Sequence, residues 1–422
     1  MVKAKQFLMI CARILLVSAM ISIVIPVFLF SGEKVAHYSG ALFEKSWGHF
    51  AIACGAGLIV FLIMLFFNYR LGRRYYDNGL VLVEQYFDED RKWNPFIHLV
   101  LVFVNCMVAF YMGFLVGGEA PGVLLGASVG MIVNVMTRGS EKQVVQGGMS
   151  ASLCVTHMNP LAGLAYLFEE QRKRLNLKMF LYGIPMIGIA YGLAFLVRRL
   201  LPYHVLHFEV NAHLPPVYYI LIFIMVILAM IISKIYLISY KLIKKSTFFG
   251  KWMDLITLLF GIMYMLFKRL CPVLTGSGVE YIGGNLSEKV WWVIAGILLF
   301  RTVNTAFSFR ASVSGGVVLP IFALGSIMGD MVVSAAGMTG LFPDLAAFAP
   351  LLCFIGLITT FAAASDLYLV AFTLTLNASL PYSILPAAVS LGILKLLHVG
   401  IDKWLEGKLA FLDTEEENRD VV

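Results

Sequence analysis

One stretch of the chain reads Gly117-Gly118-Glu119-Ala120-Pro121-Gly122-Val123-Leu124-Leu125-Gly126-Ala127-Ser128-Val129-Gly130. It places a single carboxylate, that of Glu119, inside a long apolar region and just before a predicted membrane helix. The two glycines allow the backbone to turn tightly, and Pro121 suits the first turn of a helix because its missing N–H needs no partner there. Backbone N–H groups and the helix dipole would then form an anion site without any Lys or Arg.

Glu119 is the residue of this stretch that can compete with an anion. Its carboxylate can occupy the site when it is ionised and need not do so when it is protonated. Ionisable residues inside membranes are functional candidates by default, so we expect Glu119 to act as a gate. The alternative is an ordinary charge at a helix start that faces an aqueous vestibule.

A second copy of the pattern lies in the other half of the chain. It reads Gly315-Gly316-Val317-Val318-Leu319-Pro320-Ile321-Phe322-Ala323-Leu324-Gly325-Ser326-Ile327-Met328-Gly329. In both copies a Gly pair leads to a Pro, and glycines follow five and nine positions after that Pro. Matching interrupted apolar segments in two halves indicate a transport site between repeats, near the middle of the membrane.

The composition assigns the chain to the membrane proteins. Of its 422 residues, 60% are hydrophobic and 14% are charged, whereas a soluble domain carries about 25% charged residues. We therefore predict a polytopic α-helical membrane protein. The net charge of +7 is better explained by membrane topology than by nucleic-acid binding. The six cysteines stand singly, without metal-ligand or redox spacing, so we expect packing roles for them.

The basic residues predict the orientation. The first hydrophobic run, Phe7 to Phe30, is too long for a signal-peptide core and is expected to remain as a helix. A loop that contains Glu33 should separate it from a second span at about 47–69. Basic residues follow the second span and several later ones, which predicts that both termini lie inside, in the cytoplasmic (plasma) membrane.

The rest of the chain predicts one transmembrane domain over residues 1–422. We expect a first repeat at about 1–200, a second repeat at 201–412 and an acidic cytoplasmic tail at 413–422. Further apolar segments lie at about 96–115, 147–168, 179–197, 217–240, 253–267, 290–308, 316–336, 346–363, 365–380, 384–398 and 404–411. Several are shorter than the roughly 20 residues that an upright span needs, so tilted or broken helices are implied.

Two adjacent carboxylates, Glu169 and Glu170, end one of these apolar segments. The basic run Arg172-Lys173-Arg174 follows them directly. Judged from these residues alone, the pair is a solvated helix end that is neutralised by the basic run.

Enzyme signatures are absent or misplaced. Gly126-Ala127-Ser128-Val129-Gly130 matches the G-x-S-x-G pattern of a hydrolase, but that motif needs a strand before the Ser and triad partners. Here the pattern falls in an apolar helix, where small residues at helical spacing indicate close packing. No metalloprotease, Walker or dinucleotide motif is found, so we do not expect an enzyme.

Several motifs together resemble the CLC family of chloride channels and proton/chloride antiporters. Gly117-Gly118-Glu119-Ala120-Pro121 is similar to the family motif G-R/K-E-G-P, and Gly315-Gly316-Val317-Val318-Leu319-Pro320 resembles G-G-x-F-x-P. Asn159-Pro160-Leu161-Ala162-Gly163, with Glu169 and Glu170 after it, looks like the family's N-A-P-L-A-G helix and its acidic pair. The resemblance extends from about residue 70 to 412 and is weakest between 200 and 270.

The resemblance implies roles for individual residues. Glu119 falls on the external gating glutamate, and Glu170 on the internal proton-transfer glutamate that many antiporters have and channels replace. The second assignment favours exchange over passive conduction and replaces the solvated-pair interpretation. The anion site would be formed by Asn78, Gly118, Glu119, Ala120, Val317, Val318 and Phe411.

The chain departs from the family pattern at some of these positions. Asn78 replaces the central serine, although its amide can still donate a hydrogen bond to an anion. Phe411 falls near the anion-coordinating tyrosine and has no hydroxyl donor. Gly118 replaces the usual basic residue, and Val318 the usual Phe. These changes bear on anion selectivity and coupling, because a lost donor leaves an anion less compensated for its lost water.

The sequence therefore predicts an all-α polytopic membrane protein with two inverted-topology repeats. We expect a secondary transporter that exchanges chloride, or another small inorganic anion, for protons. Its partners would be the anion, protons and the lipid bilayer, and the family resemblance implies a homodimer. The alternatives are a passive anion channel and a degenerate homologue that does not transport.

Overall fold

The computed structural model describes most of the chain, and for residues 2, 3, 71 and 399–413 the backbone alone. The described residues are 2–71, 83, 86–87, 93–169, 176–208, 213–286, 288–342, 344–378 and 382–413. These residues form α-helices and short 3₁₀ turns, without a named β-strand. Nine of their segments are long and apolar enough to cross a membrane.

Seven α-helices precede residue 200 in the described part of the chain. They are α1 (Val2–Lys45), α2 (Trp47–Leu71), α3 (Pro95–Met112), α4 (Glu119–Met136), α5 (Lys142–His157), α6 (Pro160–Glu169) and α7 (Leu177–Val197). Asn94 caps α3 by accepting hydrogen bonds from the first-turn N–H groups of Phe96 and Ile97, and Gly113 ends it in the left-handed conformation.

Seven more α-helices follow among the described residues. They are α8 (Tyr219–Lys245), α9 (Thr247–Leu270), α10 (Trp291–Arg310), α11 (Val318–Gly337), α12 (Ala349–Ser365), α13 (Tyr368–Thr373) and α14 (Ile384–Asp413). α14 is continuous, so the expectation of separate segments at 384–398 and 404–411 is wrong. The short apolar segments predict broken helices, and the structure has two of them among the described residues. One consists of α5 and α6, and the other of α12 and α13.

The predicted loop after Phe30 is also wrong, because α1 continues to Lys45 and has 44 residues. The polar and glycine residues that suggested a loop are held by tertiary contacts instead. Gly32 leaves room for the Phe110 ring, whose Cε2 is 2.8 Å from where a Cβ would lie. Ser39 accepts a hydrogen bond from Lys268 Nζ at 2.6 Å. Contacts with α3 and α9 thus outweigh the weak helix propensity of this segment.

Two pairs of helices repeat the same structure. α4 packs on α5 where Gly126 faces Gly148, and α11 packs on α12 where Gly325 faces Gly356. α5 and α12 also end alike, because Met158 and Asp366 follow them in the left-handed conformation with φ of 48° and 57°. A non-glycine residue rarely adopts this backbone, so its use at corresponding positions marks the two pairs as copies of one unit.

We expect Gly126→Ala to lower the melting temperature of the purified protein. A Cβ at this position lies 2.5 Å from the Gly148 carbonyl oxygen, so α4 and α5 must move apart. Overpacking of this kind costs about 1–3 kcal/mol. Gly188→Ala in α7 is the matched control, because a Cβ there meets nothing within 4 Å. Equal melting temperatures for the two variants would contradict close helix packing at Gly126.

Candidate functional site

The two Gly pairs meet in the interior of the protein. Gly117 N–H donates to the Gly316 carbonyl oxygen at 2.7 Å, and Gly316 N–H donates to the Gly117 carbonyl oxygen at 2.8 Å. The bridge is antiparallel and joins the two repeats directly. Neither glycine tolerates a side chain, since a Cβ would lie 2.5 Å from Leu319 Cβ at Gly117 and 2.8 Å from Ala120 Cβ at Gly316.

This bridge brings the N-termini of α4 and α11 together. Gly118 is the N-cap of α4 with φ −92° and ψ −11°, and Val317 is the N-cap of α11 with φ −90° and ψ −10°. Neither N-cap residue caps its own helix through a side chain. Two positive helix ends therefore converge on one buried region, an arrangement that favours negative charge.

Glu119 places its carboxylate in that region. The residue is 7% exposed, and its Oε2 has no hydrogen-bond partner. The carboxylate faces the backbone N–H groups of Glu119 itself and of Leu319 in the first turn of α11. It thus lies where a bound anion would meet the helix ends. Leu319 was missed by the sequence analysis, because only the bridge between repeats brings it to Glu119.

A cavity of about 340 Å³, called the vestibule below, leads to Glu119. It is lined by Leu29, Gly32, Glu33, Ala36, His37, Phe110, Gly117, Gly118, Glu119, His204, Leu206, Ser277, Val279, Glu280 and Leu319. Its walls come from α1, the end of α3, the loop after α7 and the segment between α9 and α10. Glu33, His37, His204 and Glu280 are titratable and exposed to it, and the sequence analysis assigned none of them to the site.

The predicted anion-site residues divide into two groups. The structure brings Gly118, Ala120, Val317 and Val318 together around Glu119, at the first turns of α4 and α11. The other two, Asn78 and Phe411, are not located in this way, and neither is the predicted proton-transfer residue Glu170. Asn78 and Glu170 lie outside the described residues, and Phe411 belongs to the part of α14 described by its backbone alone.

Glu169 has a structural role rather than the role of a solvated charge. Its Oε1 accepts a hydrogen bond from Leu369 N–H at 2.8 Å, and its Oε2 accepts one from Val370 N–H at 2.9 Å. These are first-turn N–H groups of α13, which has no other side-chain cap. Asn159 completes the connection by donating to the Thr373 carbonyl oxygen at 2.9 Å. The broken helices of the two repeats are therefore fastened to each other.

Ser128 meets a histidine that the sequence analysis did not connect with it. The His98 Nδ1 lies 2.6 Å from Ser128 Oγ, and both residues are fully buried. Ser128 Oγ also donates to the Leu124 carbonyl oxygen at 3.1 Å, so the hydroxyl proton of Ser128 is engaged in a hydrogen bond within α4. The serine is in mid-helix rather than on a strand-to-helix elbow, and neither residue lines the vestibule. The pair fastens α3 to α4.

Comparison with known proteins assigns the family. The sequence profile described as voltage-gated chloride channel matches residues 55–394, which is most of the chain. The chain belongs to the voltage-gated chloride channel (CLC) family. The resemblance stated from its motifs is thereby confirmed. Members of the CLC family are transporters or channels and not enzymes, which supports anion transport as the general activity.

Solved structures share the fold of this CLC protein. A slow cyanobacterial Cl⁻/H⁺ antiporter matches with a TM-score of 0.76 and 15% identity over 94% of this chain and 98% of the other. A CLC-type fluoride/proton antiporter matches with a TM-score of 0.69 and 17% identity over 92% of this chain and 95% of the other. A eukaryotic CLC transporter matches with a TM-score of 0.69 and 15% identity over 93% of this chain and 72% of the other. At these identities the likeness shows the fold, and it confirms the predicted all-α membrane architecture with two inverted repeats.

We expect Glu169→Ala to destabilise the fold by about 1–2 kcal/mol, because two first-turn N–H groups of α13 lose their acceptor. Thermal denaturation of the purified protein measures the change. Glu169→Gln keeps one acceptor oxygen and should have an intermediate melting temperature. If Glu169→Ala had the same melting temperature as the wild type, the carboxylate would not act as a helix cap in solution.

Proposed function

We propose that this protein exchanges a small inorganic anion, chloride in the first instance, for protons, with Glu119 as the gate. The observation that supports the proposal is the position of the Glu119 carboxylate, buried at the joined N-termini of α4 and α11 with its Oε2 unpartnered. The known antiporters with the same fold are consistent with it. The vestibule would open outside, because the positive-inside rule places the Arg70 end of α2 in the cytoplasm.

Electrostatics explains why carboxylate and anion can replace each other. One helix N-terminus stabilises a nearby anion by about 0.3–1 kcal/mol when exposed and by up to about 2 kcal/mol when partly buried. Two such ends offset part of the cost of removing a carboxylate or a halide from water. Both occupants use the same N–H groups, so neither is bound irreversibly and each can displace the other.

The proposed cycle follows from this competition. Ionised Glu119 occupies the anion site and closes the pathway. When it is protonated its attraction to the helix ends disappears, the side chain leaves and an anion takes its place. The proton is exchanged with the cytoplasm by way of Glu170, which the family pattern places on the internal proton-transfer position. No bound cofactor is needed, because the anion and proton gradients supply the driving force.

Asn78 and Phe411 bear on which anion is carried. The amide of Asn78 offers N–H donors where the family has a hydroxyl, and Phe411 offers none where the family has a tyrosine. Chloride, nitrate and fluoride should therefore be compared in one flux assay. We also propose, from the family resemblance, a homodimer in the cytoplasmic membrane with one pathway in each subunit.

We expect Glu119→Gln to abolish proton movement and to leave anion flux. The amide cannot carry a proton through the cycle and is not drawn into the anion site as a charge. The measurement is chloride efflux from proteoliposomes with external pH recorded at the same time. Glu288→Gln, before α10 and outside the vestibule, is the control and should transport as the wild type does. Full proton transport by Glu119→Gln would exclude the mechanism.

The same assay separates exchange from passive conduction. Substitution of Glu170 by Ala should stop proton transport and leave anion flux if the protein is an antiporter. A channel does not need this residue, so the variant would then conduct as the wild type does, without proton movement in either. Absence of flux with all three anions, together with absence of anion binding to the purified protein, would favour a non-transporting homologue.

A further inference from the structure

The vestibule has an acidic wall, which is unexpected for an anion pathway. Glu33 and Glu280 face it, and among the described residues that line it there is no Lys or Arg. Two carboxylates at the mouth repel anions and raise the local concentration of protons. The vestibule is therefore better suited to supplying protons to Glu119 than to attracting the anion.

Glu33 is the acidic residue on the wall that adjoins the gate. Leu29 of the same helix touches the gate region, since its Cδ2 lies 3.0 Å from where a Cβ of Gly118 would be. Glu33 is four residues further along α1, a rise of about 6 Å, and both residues face the vestibule. Glu33 and Glu119 therefore border the same cavity, which has room for several water molecules.

The position of Glu33 is held by the loop after α7. Its Oε1 accepts a hydrogen bond from the His204 backbone N–H at 2.5 Å. This contact uses one carboxylate oxygen and ties α1 to the segment that forms the opposite rim. The Glu33 carboxylate is thus restrained at the edge of the vestibule, which a surface side chain without such a partner would not be.

The charged groups around Glu33 include both signs. Lys34 and Arg198 are the nearby cations, but they lie over the rings of Phe30 and Tyr203 respectively and do not line the vestibule. The titratable groups that face the same space are His37, His204, Glu119 and Glu280. Glu280 lies near the fully buried Arg301, so its charge is partly compensated within the protein.

We propose that Glu33 is a second proton-carrying residue of the pathway, which accepts protons from the outer solution and passes them to Glu119 through vestibule water. The inference rests on the proposed exchange function. A proton from the outer solution binds the Glu33 carboxylate and gives the neutral acid. That proton then moves along water to the Glu119 carboxylate, Glu33 becomes ionised again, and neutral Glu119 leaves the anion site. No other reactant is consumed.

The test is Glu33→Gln, because the amide oxygen can still accept the His204 hydrogen bond while the group no longer titrates. In proteoliposomes with the protein in one orientation, proton-coupled chloride exchange should slow by about 3- to 10-fold at an outer pH of about 7.5. Exchange should recover at an outer pH of about 5.5, or when a small buffer such as imidazole is added outside, because bulk donors then reach Glu119 without the relay.

Two controls separate a relay from simple surface charge. Glu280→Gln removes a carboxylate charge from the segment between α9 and α10 and should slow exchange by less than twofold. In the Glu119→Gln background, where anion flux does not need protons, adding Glu33→Gln should leave the flux unchanged. Slowing in that background, slowing without rescue by buffer, or an equal effect of Glu280→Gln would each overturn the proposal.

Failure of the relay is distinguishable from failure of the exchange function. If Glu119→Gln alone kept full proton coupling, the proposed cycle would be wrong and Glu33 would have no gate to supply. If Glu119→Gln uncouples as expected while Glu33→Gln behaves as the wild type at every outer pH, the cycle stands and the relay is excluded.

Discussion

The structure depends on the pair of reciprocal backbone hydrogen bonds between Gly117 and Gly316. Inside a membrane an irregular backbone segment has no water to satisfy its N–H and C=O groups, so it must find partners within the protein. Here the two interrupted segments satisfy each other. That pairing holds the repeats together at their centre and leaves no room for a Cβ on either glycine. It also brings the N-terminus of α4 next to the N-terminus of α11, and this arrangement needs both repeats.

The consequence of this pairing is a buried place where positive helix ends meet, with no basic side chain among the described residues that line it. A fixed Lys or Arg would hold an anion more tightly than transport allows, whereas N–H groups can exchange one anion for another. The two repeats have nearly identical backbones at this point but different chemistry. Glu119 begins α4, and apolar Val318 begins α11, so a single carboxylate serves both helix ends. The two helix starts therefore share a backbone conformation and differ in charge.

Acidic groups elsewhere in the protein gain their roles from what the fold places beside them. Glu169 follows a helix in the first repeat, yet its carboxylate caps α13 in the second. Glu33 is far from Glu119 in sequence but lines the same vestibule. The reason is that α1 continues beyond its predicted end and passes the start of α4. His98 meets Ser128 in the same way, and their contact joins α3 to α4.

The sequence by itself determined the class, the repeat and the place of Glu119 at a helix start. The low share of charged residues requires a membrane, and the repeated Gly-Gly and Pro pattern predicted the two helix starts, because backbone turns need those residues locally. The tertiary structure decided the length of α1, the capping by Glu169, the approach of Leu319 to Glu119 and the acidic vestibule. Each of these depends on contacts between residues far apart in the chain. The local pattern of residues 31–45 resembles a loop, and only packing against α3 and α9 makes it a helix.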